Sequence, residues 1–277
     1  MMPAPSRSAL IDALAWQVEL GVTEAIGDVP VDRTALPDRA PWLPAPPGRN
    51  PAGPAATAPT RVAPARPAPP PAPAPDVDTV EAAEAAATGA RTIDALRAAM
   101  EAFPHCALRQ GARQLVFADG RPGARLMIVG EAPGREEDET GLPFVGRAGR
   151  LLDLMFAPVG LSRTAPDLER ALYITNILPW RPPQNRDPRP DEIAMMKPFL
   201  ARHVELARPD LLIAMGNISC QALLGRRGIT RLRGTWTEAL GLPCLPMFHP
   251  AYLLRNPAAK REAWADVLEA AARLEAR

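Results

Sequence analysis

Lysine is nearly missing from this 277-residue chain: of its 32 basic residues only Lys197 and Lys260 are lysines, the rest being arginine. Together with the excess of alanine and proline, that bias reflects GC-rich coding rather than a demand of function. Cysteine is scarce too. Cys106, Cys220 and Cys244 are odd in number, widely spaced and without a CxxC pair. That pattern excludes a disulfide framework and points to a reducing compartment. No apolar run approaches the roughly 18 residues a membrane span needs. Asp12 and Glu19 interrupt the N-terminal segment where a leader would have to be continuously apolar. The expected setting is therefore a soluble cytoplasmic protein. An excess of one charge is also missing: the formal net charge is +1, so any nucleic-acid footprint has to be local.

What is present is unevenly distributed. Leu10, Leu14 and Val18 recur at four-residue spacing within residues 8–27, with Ser8 as N-cap, and predict an amphipathic helix in an N-terminal unit spanning 1–35. Residues 36–76 are dominated by proline and alanine, a composition unable to bury a core, and read as a disordered linker. Residues 77–277 form the expected folded domain. It opens on helical patterns at Val80–Ala87 and Ile93–Phe103. Strand-like runs follow at Leu126–Val129, Leu172–Ile177, Leu211–Met215 and Leu245–Phe248, alternating with helical patterns at 147–157, 191–206, 217–224 and 258–275. Such alternation predicts a three-layer α/β/α sandwich around a mostly parallel sheet.

In such sheets the ligand crevice lies beyond the carboxyl ends of the strands. Those ends carry Gly130 and Glu131, Asn176, Gly216 and Asn217, and His249. A carboxylate, a carboxamide and an imidazole would thus face one crevice. The loop after the first run, "GEAPGREEDETGLPFVG", has the outline of a phosphate cradle but neither a Walker ending nor GxGxxG. Its Glu131, Glu136, Glu137, Asp138 and Glu139 would repel a phosphate. Phe144, between two glycines, suits either a core plug or a platform for a planar heterocycle. Asn176 is alternatively a turn residue, and His249 a helix-start histidine. His105 and His203 read as structural.

Four segments, "GEAPGREEDETGLPFVGRAGRLLD", "YITNILPWRPPQNRDPRPDEI", "ITRLRGTW" and "FHPAYLLRNPAAKREAW", resemble in order and spacing the family 4 uracil-DNA glycosylases. The match runs from about 103 to 275. The resemblance implies an enzyme that flips uracil out of DNA and hydrolyses its N-glycosidic bond. It implies that Gly130 and Glu131 line the uracil pocket, Phe144 stacks on the base, Asn176 reads its pairing edge and His249 faces the carbonyl that gathers charge. Glu131 or the Glu137/Asp138 pair would supply a carboxylate for water and the developing cation, with Glu137 favoured. Leu253 or Leu254 would wedge into the gap left by the flipped nucleotide. Arg186, Arg231, Arg233 and Arg255 would contact DNA phosphates.

Typical members hold a 4Fe–4S cluster on four cysteines. The corresponding positions here are Phe103, Cys106, Trp180 and Met196, with a single thiol among them. The expectation is an enzyme with no cluster and no other cofactor, acting as a monomer on uracil-containing DNA, with its N-terminal helix docking either on the main domain or on a protein partner. Two other readings compete: a DNA-damage-binding scaffold that keeps the fold without the chemistry, and an α/β enzyme of free nucleosides or nucleotides. The retained Glu131, Asn176 and His249 speak against the first, and the paired leucines and arginine-bearing loops against the second.

Overall fold

In a computed structural model of the chain, residues 77–276 are described; the expected N-terminal helix and linker lie outside them. Six strands form one sheet: β1 (Ala118–Gly120), β2 (Leu126–Gly130), β3 (Leu172–Asn176), β4 (Leu211–Met215), β5 (Thr237–Ala239) and β6 (Leu242–Met247). Their order is β1-β3-β2-β4-β6-β5. The four central strands are parallel, and β1 and β5 close the two edges antiparallel to β3 and β6. The four strands expected from apolar runs are the parallel ones. The two edge strands, "ADG" and "TEA", carry no apolar run to mark them.

The helices are α1 (Val77–Gly89), α2 (Ile93–Ala102), α3 (Arg135–Thr140), α4 (Arg147–Phe156), α5 (Pro190–Ala207), α6 (Asn217–Leu224), α7 (Ile229–Leu232), α8 (Pro250–Arg255) and α9 (Lys260–Glu275). Side chains alternate across a strand, and each central strand therefore feeds two cores. Met127 and Val129 point into one, shared with Leu96, Phe199 and Ile218 of α2, α5 and α6. Leu126 and Ile128 point into the other, shared with Leu152, Phe156 and Val267 of α4 and α9. Two apolar faces on one sheet require helices on both sides, which is the three-layer α/β/α sandwich. Among the described residues no helix is long and apolar enough to cross a membrane.

His203 has the structural part expected of it. It is fully buried in α5, its Nε2 lies 2.7 Å from the Tyr173 hydroxyl, and it stacks on Phe117. Burial pushes its pKa down to about 3, so it stays neutral. His105 meets Phe103 edge-on.

The chain order around β2 positions the site. From β2 the chain steps to β3 on one side, then crosses to β4 on the other. That reversal opens a crevice at the carboxyl ends of the strands.

Candidate active site

A cavity of about 600 Å³ lies at that crevice. It is lined by Glu131 after β2, Asn176 at the end of β3, Gly216 and Asn217 after β4, and His249 after β6. Phe144, from the loop between α3 and α4, completes the wall. The residues expected at the strand ends therefore converge.

Pairing continues past the strands and fixes two of them. Gly130 sits opposite Asn176 in the β2–β3 register. The Ile177 amide then donates to the Gly130 carbonyl at 2.9 Å, and the Leu178 amide to the Glu131 carbonyl at 3.0 Å. Gly130 must be glycine for lack of space: a Cβ there would fall 2.3 Å from Asn176 Oδ1 and 2.5 Å from the Phe144 ring. The carboxamide and the ring edge thus pack directly on bare backbone, which brings Asn176 and Phe144 together at the cavity wall.

Phe144 is buried and holds a left-handed backbone, φ +53°. For a bulky residue that conformation costs on the order of 1–3 kcal/mol and persists only where the surroundings impose it. Its ring stacks on His249 with centroids 5.3 Å apart.

His249 caps α8, where its Nδ1 accepts from the Ala251 amide at 3.1 Å. With Nδ1 used as acceptor, the neutral ring carries its proton on Nε2, a donor. Burial, helped by the nearby Arg255 charge and opposed by Glu137, pushes the pKa down to about 4. Near neutrality His249 is therefore an uncharged N–H donor.

The five carboxylates of the loop separate cleanly. Only Glu131 and Glu137 line the main cavity. Glu137 Oε1 accepts from the Val145 and Gly146 amides at 3.0 and 3.1 Å, and its Oε2 from the Gly134 amide at 3.0 Å. With three backbone donors on it, this carboxylate holds the loop together. Asp138 is buried away from the cavity and accepts from the Arg113 amide. Glu136 and Glu139 pair with Arg150 and Arg135 at the surface. Among the described residues none donates a hydrogen bond to the Glu131 carboxylate. Its pKa is raised to about 7, first by burial and then by the Asp187 charge, with Arg227 opposing.

The outer rim sorts the expected DNA contacts. Leu253 is fully buried in the core, out of reach of a ligand, whereas Leu254 is 36% exposed. Arg255 and Arg231 are exposed, and Arg255 borders the cavity. Arg233 is committed to Asp266 and the Glu262 carbonyl and lies over the Phe248 ring. Arg186 grips Glu192 with both terminal nitrogens, at 2.9 and 2.5 Å. Both arginines are thus tied into the fold, and Arg186 also lines the cavity. Asn217, noted at the end of β4, likewise turns inward, accepting from the Gly228 and Ile229 amides. Asp187 and Arg227 line the cavity unforeseen. Nothing in their local sequence, "NRDP" and "GRRG", distinguishes them from solvated loop residues.

A model of the uracil DNA glycosylase superfamily matches residues 117–269. The chain is 40% identical over 154 residues to the type-4 uracil-DNA glycosylase of Thermotoga maritima, covering 54% of this chain and 77% of that one. It is 38% identical over 162 residues to the type-4 enzyme of Sulfurisphaera tokodaii, covering 55% and 71%. A type-5 uracil-DNA glycosylase of Pyrobaculum aerophilum is 31% identical over 166 residues, covering 55% and 73%. The match spans the six strands and the cavity they build, and the chain belongs to the uracil DNA glycosylase superfamily, in its type-4 family.

Proposed function

We propose that this protein excises uracil from DNA, leaving an abasic site for base excision repair. The observation that carries the reading is the convergence of a carboxamide, an aromatic face and a neutral imidazole donor on one cavity above Gly130. The Asn176 amide pairs with uracil O4 and N3–H together, whereas cytosine would set donor against donor. Phe144 stacks on the flipped base. As the C1′–N1 bond breaks, its electron pair stays on uracil, and the charge gathering on O2 meets the His249 Nε2–H. The sugar becomes cationic, and the ionised Glu131 lies opposite it. A water oxygen bonds to C1′ and passes its proton to that carboxylate. Electrostatic stabilisation supplies most of the acceleration.

Leu254 fills the space the nucleotide leaves, and Arg255 and Arg231 hold flanking phosphates. Incubation with uracil-containing single- and double-stranded oligonucleotides, followed by alkaline cleavage, is expected to cut at the uracil. Intact strands would overturn the proposal.

The 4Fe–4S cluster typical of the family does not fit this chain. Phe103, Trp180 and Met196 are buried in one apolar cluster with Cys106, and Phe103 packs edge-on against Phe199 at 5.2 Å. Burial pushes the Cys106 thiol up, away from the thiolate that would ligate iron. Among the described residues no group of three or more His, Cys, Asp or Glu side chains is placed to hold a metal. Apolar packing takes over the task of joining these segments. Anaerobically purified protein is expected to lack absorption near 400 nm and to contain no stoichiometric iron; about four irons per chain would overturn this assignment.

A further inference from the structure

Phe144 is gripped on both sides of its strained backbone. On the carboxyl side, Glu137 accepts from the Val145 and Gly146 amides. Arg163 holds the peptides on either side, donating from Nη1 to the Pro143 carbonyl at 2.9 Å and from Nη2 to the Phe144 carbonyl at 3.0 Å. Arg163 reaches in from the loop after α4 and is itself pinned. Its Nε meets Asp153 of α4 at 2.8 Å, and its Nη1 meets Asp119 of β1 at 2.8 Å. Its side chain is only 10% exposed. A planar guanidinium can serve two carboxylates and two carbonyls together, and an ammonium cannot. Gly149 of α4 lets the helix close on the same peptide, since a Cβ there would lie 1.7 Å from the Phe144 carbonyl oxygen.

We infer that Arg163 is a positioning residue for uracil excision, holding the Phe144 ring in place before the base arrives by fixing the two peptide carbonyls at positions 143 and 144. The inference rests on Phe144 being the ring that stacks on the flipped base. Without the guanidinium, position 144 is free to relax to negative φ, which swings the ring away from Gly130 and His249. A prepositioned ring contributes its full stacking to the flipped base, and a mobile one first loses the freedom that binding removes. The role belongs to β1 and α4 as much as to the site, because Asp119 and Asp153 orient the arginine.

The test is a double-mutant cycle on the full chain: wild type, Arg163→Gln, Phe144→Ala and the double variant, scored by kcat/KM on a single-stranded uracil oligonucleotide, with thermal melting recorded for each. Base–aromatic stacking predicts a loss of about 10- to 100-fold for Phe144→Ala. Arg163→Gln is expected to lose about tenfold or more alone and less than about threefold once Phe144 is gone, as coupled residues do. Equal losses in both backgrounds, or no loss for Arg163→Gln, would overturn the inference while leaving Phe144 as the stacking residue. No loss for Phe144→Ala would remove the stacking assignment and this inference with it. If Arg163→Gln fails to fold, Arg163→Lys enters the same cycle, because one ammonium still cannot bridge both carbonyls, and the same outcomes decide.

Discussion

Glu131→Gln is expected to lower kcat for uracil excision by about 10²- to 10³-fold and to erase the pH dependence of kcat/KM around neutrality. The loss follows from taking away the negative charge opposite a sugar that becomes cationic. The pH effect follows from where the carboxyl sits. Burial, reinforced by Asp187 and opposed by Arg227, raises its pKa to about 7. Below that value the group is a neutral acid that neither accepts a proton from water nor balances the cation; above it the group is an anion that does both. Wild-type kcat/KM should therefore climb roughly tenfold per pH unit up to about 7 and level off beyond it. Glu131→Gln should be flat across the same range. Asp187→Asn, which removes a neighbouring negative charge, should move the inflection to lower pH. A pH profile measured on one uracil strand for the three proteins checks all of this. A wild-type profile falling through pH 7 would mean that the neutral acid is the working form.

His249→Ala is expected to cost a further large factor, about 10²- to 10³-fold in kcat, because in the proposed mechanism it removes the imidazole donor that meets the charge gathering on the leaving base. The donor is a neutral Nε2–H, fixed in that tautomer by the Ala251 amide on Nδ1. Its lowered pKa has a definite sign. A histidine whose folded value is about 4 stays uncharged down to that pH, so it contributes no inflection near 6.5. The unfolded chain, with an ordinary histidine, takes up the proton first on acidification. Stability from this group is therefore complete above about 6.5 and declines as pH falls toward 4. Removing Arg255, whose charge adds to the depression, should raise the value toward normal. Titration of the His249 ring by NMR in wild type and Arg255→Ala tests the sign independently of catalysis.

The parallel core of the fold was readable because buried central strands are continuous apolar runs. "LMIVG" and "LLIAM" announce themselves. The edge strands did not, because three residues such as Ala118–Gly120 carry no period. The acidic stretch "REEDET" looked like loop for a similar reason: α3 has no apolar stripe, and it is held by the Glu137 side chain reaching back to the Gly134 amide and on to Val145 and Gly146. Those contacts occupy the carboxylate of Glu137, the acid the sequence favours for holding water, while among the described residues no hydrogen bond engages the Glu131 carboxylate.

Strand-end logic and resemblance both located Asn176 and His249, because topology alone brings the ends of parallel strands together. Adjacent residues were harder to separate. Leu253 and Leu254 look alike in sequence, and only the orientation of α8 sends one into the core and the other outward. The pairing of Arg233 with Asp266, 33 residues away on α9, has no local sequence signature. Arg163 is equally silent in sequence, because its four partners come from three other segments.

The most direct test of the whole account is single-turnover excision on a uracil-containing strand, run in the presence of a metal chelator with wild type, Asn176→Ala and His249→Ala side by side. The account predicts rapid formation of abasic product by the wild type, no excision from a matched cytosine strand, and a loss of about 10²-fold or more in each variant. Failure of the wild type to release uracil, or undiminished activity in both variants, would contradict it.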